Sequence, residues 1–183
     1  MKYAQIRSLD ISNGPGCGIS LFVQGCPIRC KGCHNSSIWD FDGGKPFTPK
    51  TVDIIVDLVK PEYIKRLSIL GGEPLVSKNL FPFAGLIESV HKARPDIDII
   101  VYTGYTLQEL QERRNKEFYL DWILNHIDFL IDGRYEEDKR DITLAFRGSR
   151  NQIVWDMRDC ANPKDVSKQW DEKFLNNLGR NIL

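Results

Sequence analysis

Three of the five cysteines in this 183-residue chain lie within eight residues, in the segment CPIRCKGC. Cys26, Cys30 and Cys33 are separated by three and then by two residues. Thiolates are ligands for zinc and for iron–sulfur clusters, and both kinds of centre need sulfur atoms that converge on the metal. The spacing therefore indicates a metal centre, provided that the segment curls back on itself.

A buried helix face is the first alternative for these cysteines, because positions i, i+4 and i+7 form a helical stripe. Gly32 weakens so short a helix. At a rise of about 1.5 Å per residue, a helix would also hold the outer two Cα atoms roughly 10 Å apart. Proline and glycine in the segment favour a loop instead.

Zinc and an iron–sulfur cluster both remain open at this stage. Structural zinc is closed by four ligands, so His34, Cys17 or Cys160 would have to complete the set. A four-iron cluster ordinarily takes four cysteines, and with three of them one iron keeps an open coordination position. Such an iron could bind a substrate or cofactor directly, which would give the missing fourth thiol a purpose.

Four short apolar runs predict the strands that position this segment. They end in glycine and are rich in leucine, isoleucine and valine, as buried strands are; they cover residues 20–25, 66–72, 96–104 and 127–133. The cysteine segment follows the first run, GGEP the second, and YTGY closes the third. Because ligands gather at the carboxyl ends of parallel strands, we expect these three segments at one edge of the sheet.

Helix-like stretches alternate with the strands. Thr48 is a predicted cap for a helix over residues 49–60, residues 80–93 should form a helix with Pro82 in its first turn, and residues 106–117 read similarly. The alternation predicts an α/β fold with mostly parallel strands and outer helices, either an open sheet or a partial barrel. A complete eightfold barrel needs about 250 residues, which this chain lacks.

Composition limits the function classes. Lysine plus arginine equals aspartate plus glutamate at 25 each, which does not favour a nucleic acid partner. No apolar run approaches the roughly 20 residues of a spanning helix, and the first residues lack a signal-peptide core. An odd number of clustered cysteines suits a reducing cytoplasm. We expect one cytoplasmic domain over residues 1–183, with no membrane partner.

The motif C-x3-C-x2-C, followed on the next strand by GGEP, resembles the radical S-adenosylmethionine enzymes. The resemblance implies a partial (β/α) barrel in which Cys26, Cys30 and Cys33 hold a [4Fe–4S] cluster. The open iron would take the amino and carboxylate groups of S-adenosylmethionine, and the segment Gly71, Gly72 and Glu73 would receive its methionine end.

Further motifs narrow the resemblance. NGPG at residues 13–16 and CHNSSIW at residues 33–39 resemble the glycyl-radical-enzyme activases. The motifs that follow in order resemble the activating proteins of anaerobic (class III) ribonucleotide reductases; they cover residues 39–48, 131–135 and 146–154. The match runs from about residue 3 to residue 158. Residues 159–183 form an extension, in which residues 165–178 predict an amphipathic helix.

The resemblance implies a reaction and its partners. An electron from a low-potential donor such as a flavodoxin cleaves S-adenosylmethionine to methionine and a 5′-deoxyadenosyl radical. That radical takes a hydrogen atom from one glycine of the anaerobic reductase. A homodimer is a further implied assembly. The alternatives are a radical enzyme acting on a small molecule, such as a modified-nucleoside precursor, and a non-catalytic zinc-binding interaction module.

Several positions remain to be placed. Gly32 stands where most superfamily members carry an aromatic residue, so the resemblance implies that backbone at Gly32, Cys33 and His34 meets the adenine. Residues 13–16 form a predicted tight turn, for which a cofactor contact is the alternative. Arg147, Ser149 and Arg150 could meet the partner protein or simply lie in a solvated loop. No catalytic residue is predicted beyond the cluster and cofactor ligands.

Overall fold

The computed structural model describes the backbone of residues 1–180 and the side chains of residues 1–176. Within that range the chain forms eight strands in one sheet and five α-helices. The strands are β1 (Lys2–Asp10), β2 (Gly18–Val23), β3 (Lys45–Pro46), β4 (Arg66–Gly71), β5 (Asp98–Tyr102), β6 (Phe129–Asp132), β7 (Ile153–Asp156) and β8 (Lys164–Asp165). The helices are α1 (Pro49–Val59), α2 (Ser77–Ala93), α3 (Leu107–Arg114), α4 (Phe118–Leu124) and α5 (Ser167–Arg180).

The described part of the sheet is mixed, with strand order β3-β1-β2-β4-β5-β6-β7-β8. Its three central pairs, from β2 to β6, are parallel, and the other four pairs are antiparallel. The α/β class is confirmed, whereas the prediction of mostly parallel strands is wrong. Parallel neighbours need a crossover, which α1 to α4 provide only at the centre. β1 turns directly into β2, and β7 returns beside β6 without an α-helix between them.

Side chains of the central strands alternate between two apolar layers, as the strand period requires. Leu67, Ile69, Ile99 and Val101 face α1 to α4 in the larger core cluster. Ile100, Phe129 and Ile131 face the other way and pack with Trp170 of α5. The cover of helices therefore lies on one face of the sheet, and α5 lies on the opposite face.

The strand predictions agree with the structure better than the helix predictions do. All four predicted strands are present, and Thr48 forms a capping box with Thr51 at the start of α1, as expected. One helix prediction is wrong in detail: α2 begins at Ser77, so Pro82 lies inside the helix beyond its first turn. The helix predicted over residues 106–117 is present as α3, which ends at Arg114, and a separate α4 follows it.

The extension beyond residue 158 contains α5, close to the predicted residues 165–178. Residues 181–183 of that extension lie outside the described residues. Among the described helices, none combines the length and the apolar character that crossing a membrane requires.

The fully buried Arg66 organises the amino-terminal ends of the central strands. Its guanidinium donates to the Asp10 carbonyl at 2.8 Å, to the Pro15 carbonyl at 3.1 Å and to Ser68 Oγ at 2.7 Å. Ser68 Oγ in turn donates to the Asn13 carbonyl at 2.5 Å. These bonds fix the NGPG turn at the start of β4, whereas the cysteine segment follows the end of β2. The NGPG turn therefore lies at the edge of the sheet opposite the cysteines. This position does not favour a contact between the turn and a cofactor held near the cysteines.

Candidate metal centre

A cavity of about 240 Å³ opens where the parallel strands β2, β4, β5 and β6 end. It is lined by seven of the eight predicted site residues: Cys26, Cys30, Cys33, His34, Gly71, Gly72 and Glu73. Thr103 and Gly104 of the YTGY segment line it as well. The expectation that three strand ends meet at one edge is confirmed, because parallel neighbours present their carboxyl ends on the same side.

The cysteine segment is a loop, as its glycine and proline predicted. Backbone hydrogen bonds close the loop at its base, from the Gly25 amide to the Ile38 carbonyl at 2.8 Å and from the Cys26 amide to the Trp39 carbonyl at 3.0 Å. Arg29 and Gly32 have positive φ angles of 53° and 77°, which no right-handed helix contains. The buried-helix alternative is therefore wrong.

Backbone amides and burial set the chemistry of the three thiols. The Asn35 amide donates to Cys33 Sγ at 3.4 Å. Burial raises the pKa of Cys26 and the pKa of Cys30 above the ordinary 9.0, and amide hydrogen bonds oppose the shift in both cases. Because thiolates must form before they bind metal, binding of a metal by these thiols would release protons. Among residues 1–176, no three side chains of His, Cys, Asp or Glu are grouped closely enough to hold a single ion.

Glu73 joins the ends of two neighbouring strands beneath the cavity. Its side chain is almost completely buried, and its carboxylate accepts from the Leu75 amide at 2.9 Å, from Thr103 Oγ1 at 2.7 Å and from the Gly104 amide at 2.8 Å. Burial raises the pKa of Glu73, and the three donors oppose that shift. A carboxylate offers about four acceptor positions, so roughly one remains free for a ligand.

Gly72 brings the turn after β4 into direct contact with the base of the cysteine loop. The Gly72 amide donates to the Val23 carbonyl and the Glu73 amide to the Gly25 carbonyl, both at 2.8 Å. A Cβ atom on Gly72 would overlap the backbone of Gly25, which precedes Cys26. The absence of a side chain is therefore a steric requirement of the junction between the two predicted motifs.

Replacing Gly72 by alanine is expected to destabilise the protein by about 1–3 kcal/mol, as overpacking of a rigid site does. We also expect lower iron content after anaerobic reconstitution, because backbone that moves at Gly25 carries Cys26 with it. Urea unfolding and iron analysis measure the two effects. Gly85→Ala in α2 is the control, since nothing lies within 4 Å of its added Cβ. That variant should gain about 0.5–1 kcal/mol, and an equal response from both variants would contradict the steric explanation.

The loop between β6 and β7 covers the cysteine loop. Tyr135 packs edge-on against His34, with ring centroids 6.5 Å apart, and its hydroxyl donates to Glu137 at 2.6 Å. Gly32 does not line the cavity, and a Cβ atom there would overlap the Glu137 carboxylate. Glycine at this position therefore lets the covering loop approach the cysteine loop.

The motif at residues 146–154 contributes cavity residues that sequence reasoning missed. Phe146, Gly148 and Gln152 line the cavity, whereas the sequence predicts a partner contact or a solvated loop for this motif. Arg147 and Ser149 are buried, so these two side chains do not offer a partner surface, whereas Arg150 is exposed. The sequence marks these residues as part of a motif, but it does not show that their loop folds back over the cavity.

Comparisons with known proteins agree with this site. A family model described as a 4Fe-4S single cluster domain matches residues 12–155. A protein of Pasteurella multocida is 42% identical over 157 residues, which cover 85% of this chain and 97% of the relative. Relatives from Escherichia coli K12 and Enterobacteria phage T4 are 38% and 35% identical, covering 86% and 87% of this chain and 100% and 96% of their own lengths. All three are named anaerobic ribonucleoside-triphosphate reductase-activating protein.

Proposed function

Since the chain belongs to the family of anaerobic ribonucleoside-triphosphate reductase-activating proteins, we propose that it is an enzyme that activates an anaerobic ribonucleotide reductase. Activation consists of generating a glycyl radical on the reductase, with S-adenosylmethionine as the source of the radical. The observation that carries this proposal is the meeting of the cysteine loop and the turn after β4 in one cavity.

Cys26, Cys30 and Cys33 are the proposed ligands of a [4Fe–4S] cluster. Their partial burial in one cavity fits this group, as do the amide donors that face their sulfur atoms. When bound, the cluster supplies a single electron at low potential, which is the chemistry that cleaves the S–C5′ bond of S-adenosylmethionine. Amides that donate to cysteine sulfur are one of the means by which a protein adjusts the potential of such a cluster.

The turn after β4 is the proposed receptor for the methionine end of S-adenosylmethionine. Gly71 and Gly72 present bare backbone to the cavity, which lets a ligand approach closely. Glu73 keeps about one acceptor position free, and an ammonium group would make a charge-assisted hydrogen bond there, which is stronger than a bond from a neutral donor. Backbone at Cys33 and His34 borders the same cavity and is the proposed adenine contact, together with Gly32 beside it.

The remaining features of the proposal concern architecture and partners. The four parallel strands β2, β4, β5 and β6 would form the wall of a partial barrel of the radical S-adenosylmethionine type, within a single domain. The proposed binding partners are the anaerobic ribonucleotide reductase, a low-potential electron donor such as a flavodoxin, and a second copy of this chain. Free cysteines suit the reducing cytoplasm, and the balanced charge does not favour a nucleic acid.

Electron paramagnetic resonance tests the function. The protein is reconstituted anaerobically with iron and sulfide, then mixed with S-adenosylmethionine, a reductant and the candidate anaerobic reductase. We expect a glycyl-radical doublet in the reductase and one 5′-deoxyadenosine per radical formed. Cleavage of S-adenosylmethionine without a protein radical would favour a small-molecule substrate. A protein that takes up zinc but no cluster would instead support the interaction module.

A further inference from the structure

Helix α5 lies outside the part of the chain that the family model matches. The matched family model ends at residue 155, before β8 and α5 begin. The Escherichia coli relative is matched over its whole length, yet that match covers only 86% of this chain. The helix also packs on the face of the sheet opposite α1 to α4. It therefore lies beyond the matched family domain, and its contacts indicate what it does.

Asp171 of α5 holds the loop that precedes β7. Its carboxylate accepts from the Ala145 amide at 2.8 Å and pairs with the guanidinium of Arg147 through both oxygens. The Arg147 side chain is only 4% exposed, so this ion pair is shielded from water on one side. Arg147 Nη1 also donates to the Gln152 carbonyl at 3.1 Å. The helix thereby binds two points of the loop with a single side chain.

Aromatic packing holds Phe146, which lies between Ala145 and Arg147. Phe146 contacts Trp170 and Phe174 of α5 edge-on, with ring centroids 5.8 Å and 5.5 Å apart. Its φ angle is +57°, a conformation that residues with a Cβ atom rarely adopt. Such a conformation persists where the surroundings enforce it. Here the enforcing contacts come from the aromatic side chains of α5.

The same loop is a wall of the candidate metal centre. Phe146, Arg147 and Gly148 all line the cavity that contains the three cysteines. Gln152 ties this wall to the end of β6, because its side chain donates to the Gly133 carbonyl at 3.0 Å and accepts from the Gly148 amide at 2.9 Å. A movement of the loop would therefore change the shape of the cavity directly.

We propose that α5 is a positioning element for the cofactor cavity, with Asp171 as its positioning residue. The helix holds residues 145–148 in the conformation that closes one side of the S-adenosylmethionine site, and so increases the affinity for that cofactor. This inference rests on the proposed function, because it assigns the cavity to S-adenosylmethionine. Asp171 itself touches Ala145 and Arg147 and is not among the residues that line the cavity.

The test compares Asp171→Asn with Glu172→Gln in the full chain. Both changes replace a carboxylate by an amide on α5, but Glu172 is exposed, and among the described side chains its ion pair is with Lys168 at 4.0 Å. We expect Asp171→Asn to weaken S-adenosylmethionine binding about tenfold, the lower end of what loss of an outer-shell partner costs. Hydrogen exchange at the amides of residues 145–148 should become faster in the protein without cofactor. Glu172→Gln should match the wild type in both measurements.

The outcomes separate the two proposals. If the wild type binds S-adenosylmethionine and the two variants behave alike, α5 has no positioning role. If the wild type does not bind S-adenosylmethionine at all, the proposed function fails first. Should Asp171→Asn not fold, hydrogen exchange in the wild type decides the question. The backbone amides of residues 145–148 and of residues 167–176 should then become more protected from exchange together when S-adenosylmethionine is added. Increased protection of residues 145–148 alone would overturn the inference.

Discussion

Replacing Cys30 by alanine is expected to abolish formation of the glycyl radical on the anaerobic reductase. Cys30 lies between Cys26 and Cys33 in the sequence and lines the cavity together with both of them. Removing this thiol removes a proposed cluster ligand, whereas loss of an outer-shell partner alone costs roughly 10- to 100-fold. We therefore expect a loss of more than about 100-fold in the yield of radical, relative to that benchmark.

The measurement combines the electron paramagnetic resonance doublet with iron content after anaerobic reconstitution. Cys17→Ala is the matched control, because Cys17 lies near the NGPG turn in a separate cavity at the other edge of the sheet. This control should retain both iron and radical formation. Normal radical yield from Cys30→Ala would remove Cys30 from the ligand set, and loss of radical in Cys17→Ala would place a needed thiol outside the cysteine loop.

Replacing Arg66 by methionine is expected to lower the free energy of unfolding by about 3–5 kcal/mol, the usual cost of breaking a buried ion pair from one side. Arg66 is fully buried, and it contacts the Asp10 carboxylate at 3.2 Å besides its bonds to Pro15 and Ser68. Methionine fills part of the volume but donates no hydrogen bond. The NGPG turn then loses the hydrogen bond from Arg66 to the Pro15 carbonyl and keeps only the bond from Ser68 to the Asn13 carbonyl as a described attachment to β4.

Urea unfolding measures this loss, and Lys65→Met is its control. Lys65 is the neighbouring residue and is exposed, so the same chemical change should cost less than about 0.5 kcal/mol there. Equal destabilisation by both variants would contradict the importance of the buried network.

The same network predicts a dependence of stability on pH. Burial tends to raise the pKa of Asp10, but hydrogen bonds from the Asn13 amide, the Arg66 guanidinium and the Ser12 amide outweigh it and hold this pKa below the ordinary 3.8. A carboxyl with a lowered pKa in the folded state stabilises the protein above its unfolded pKa. That contribution is lost as the pH falls below 3.8 and through the folded value. Arg66→Met should therefore show a shallower loss of stability over this acidic range than the wild type.

Local patterns predicted the elements that local forces determine. The apolar runs ending in glycine became β2, β4, β5 and β6, and Thr48 capped α1. The errors arose where distant contacts decide. Pro82 is accommodated inside α2 because the helix extends back to Ser77, with Asn79 and Leu80 of its first turn buried. β1 lies between β3 and β2, its side chains are mostly half-buried or exposed, and it carries no continuous apolar run that would reveal it.

The sequence by itself determined the chemistry of the site. The three cysteines, the GGE turn and the strands before them predict the proposed ligands, because metal affinity and backbone access depend on residue type and short spacing. Only the tertiary structure decided how residues distant in the chain cooperate. Gly72 must lack a side chain because Gly25 lies against it, and Arg147 forms part of the cavity wall because Asp171 holds it there. Such contacts depend on the packing of the whole sheet, which no local pattern specifies.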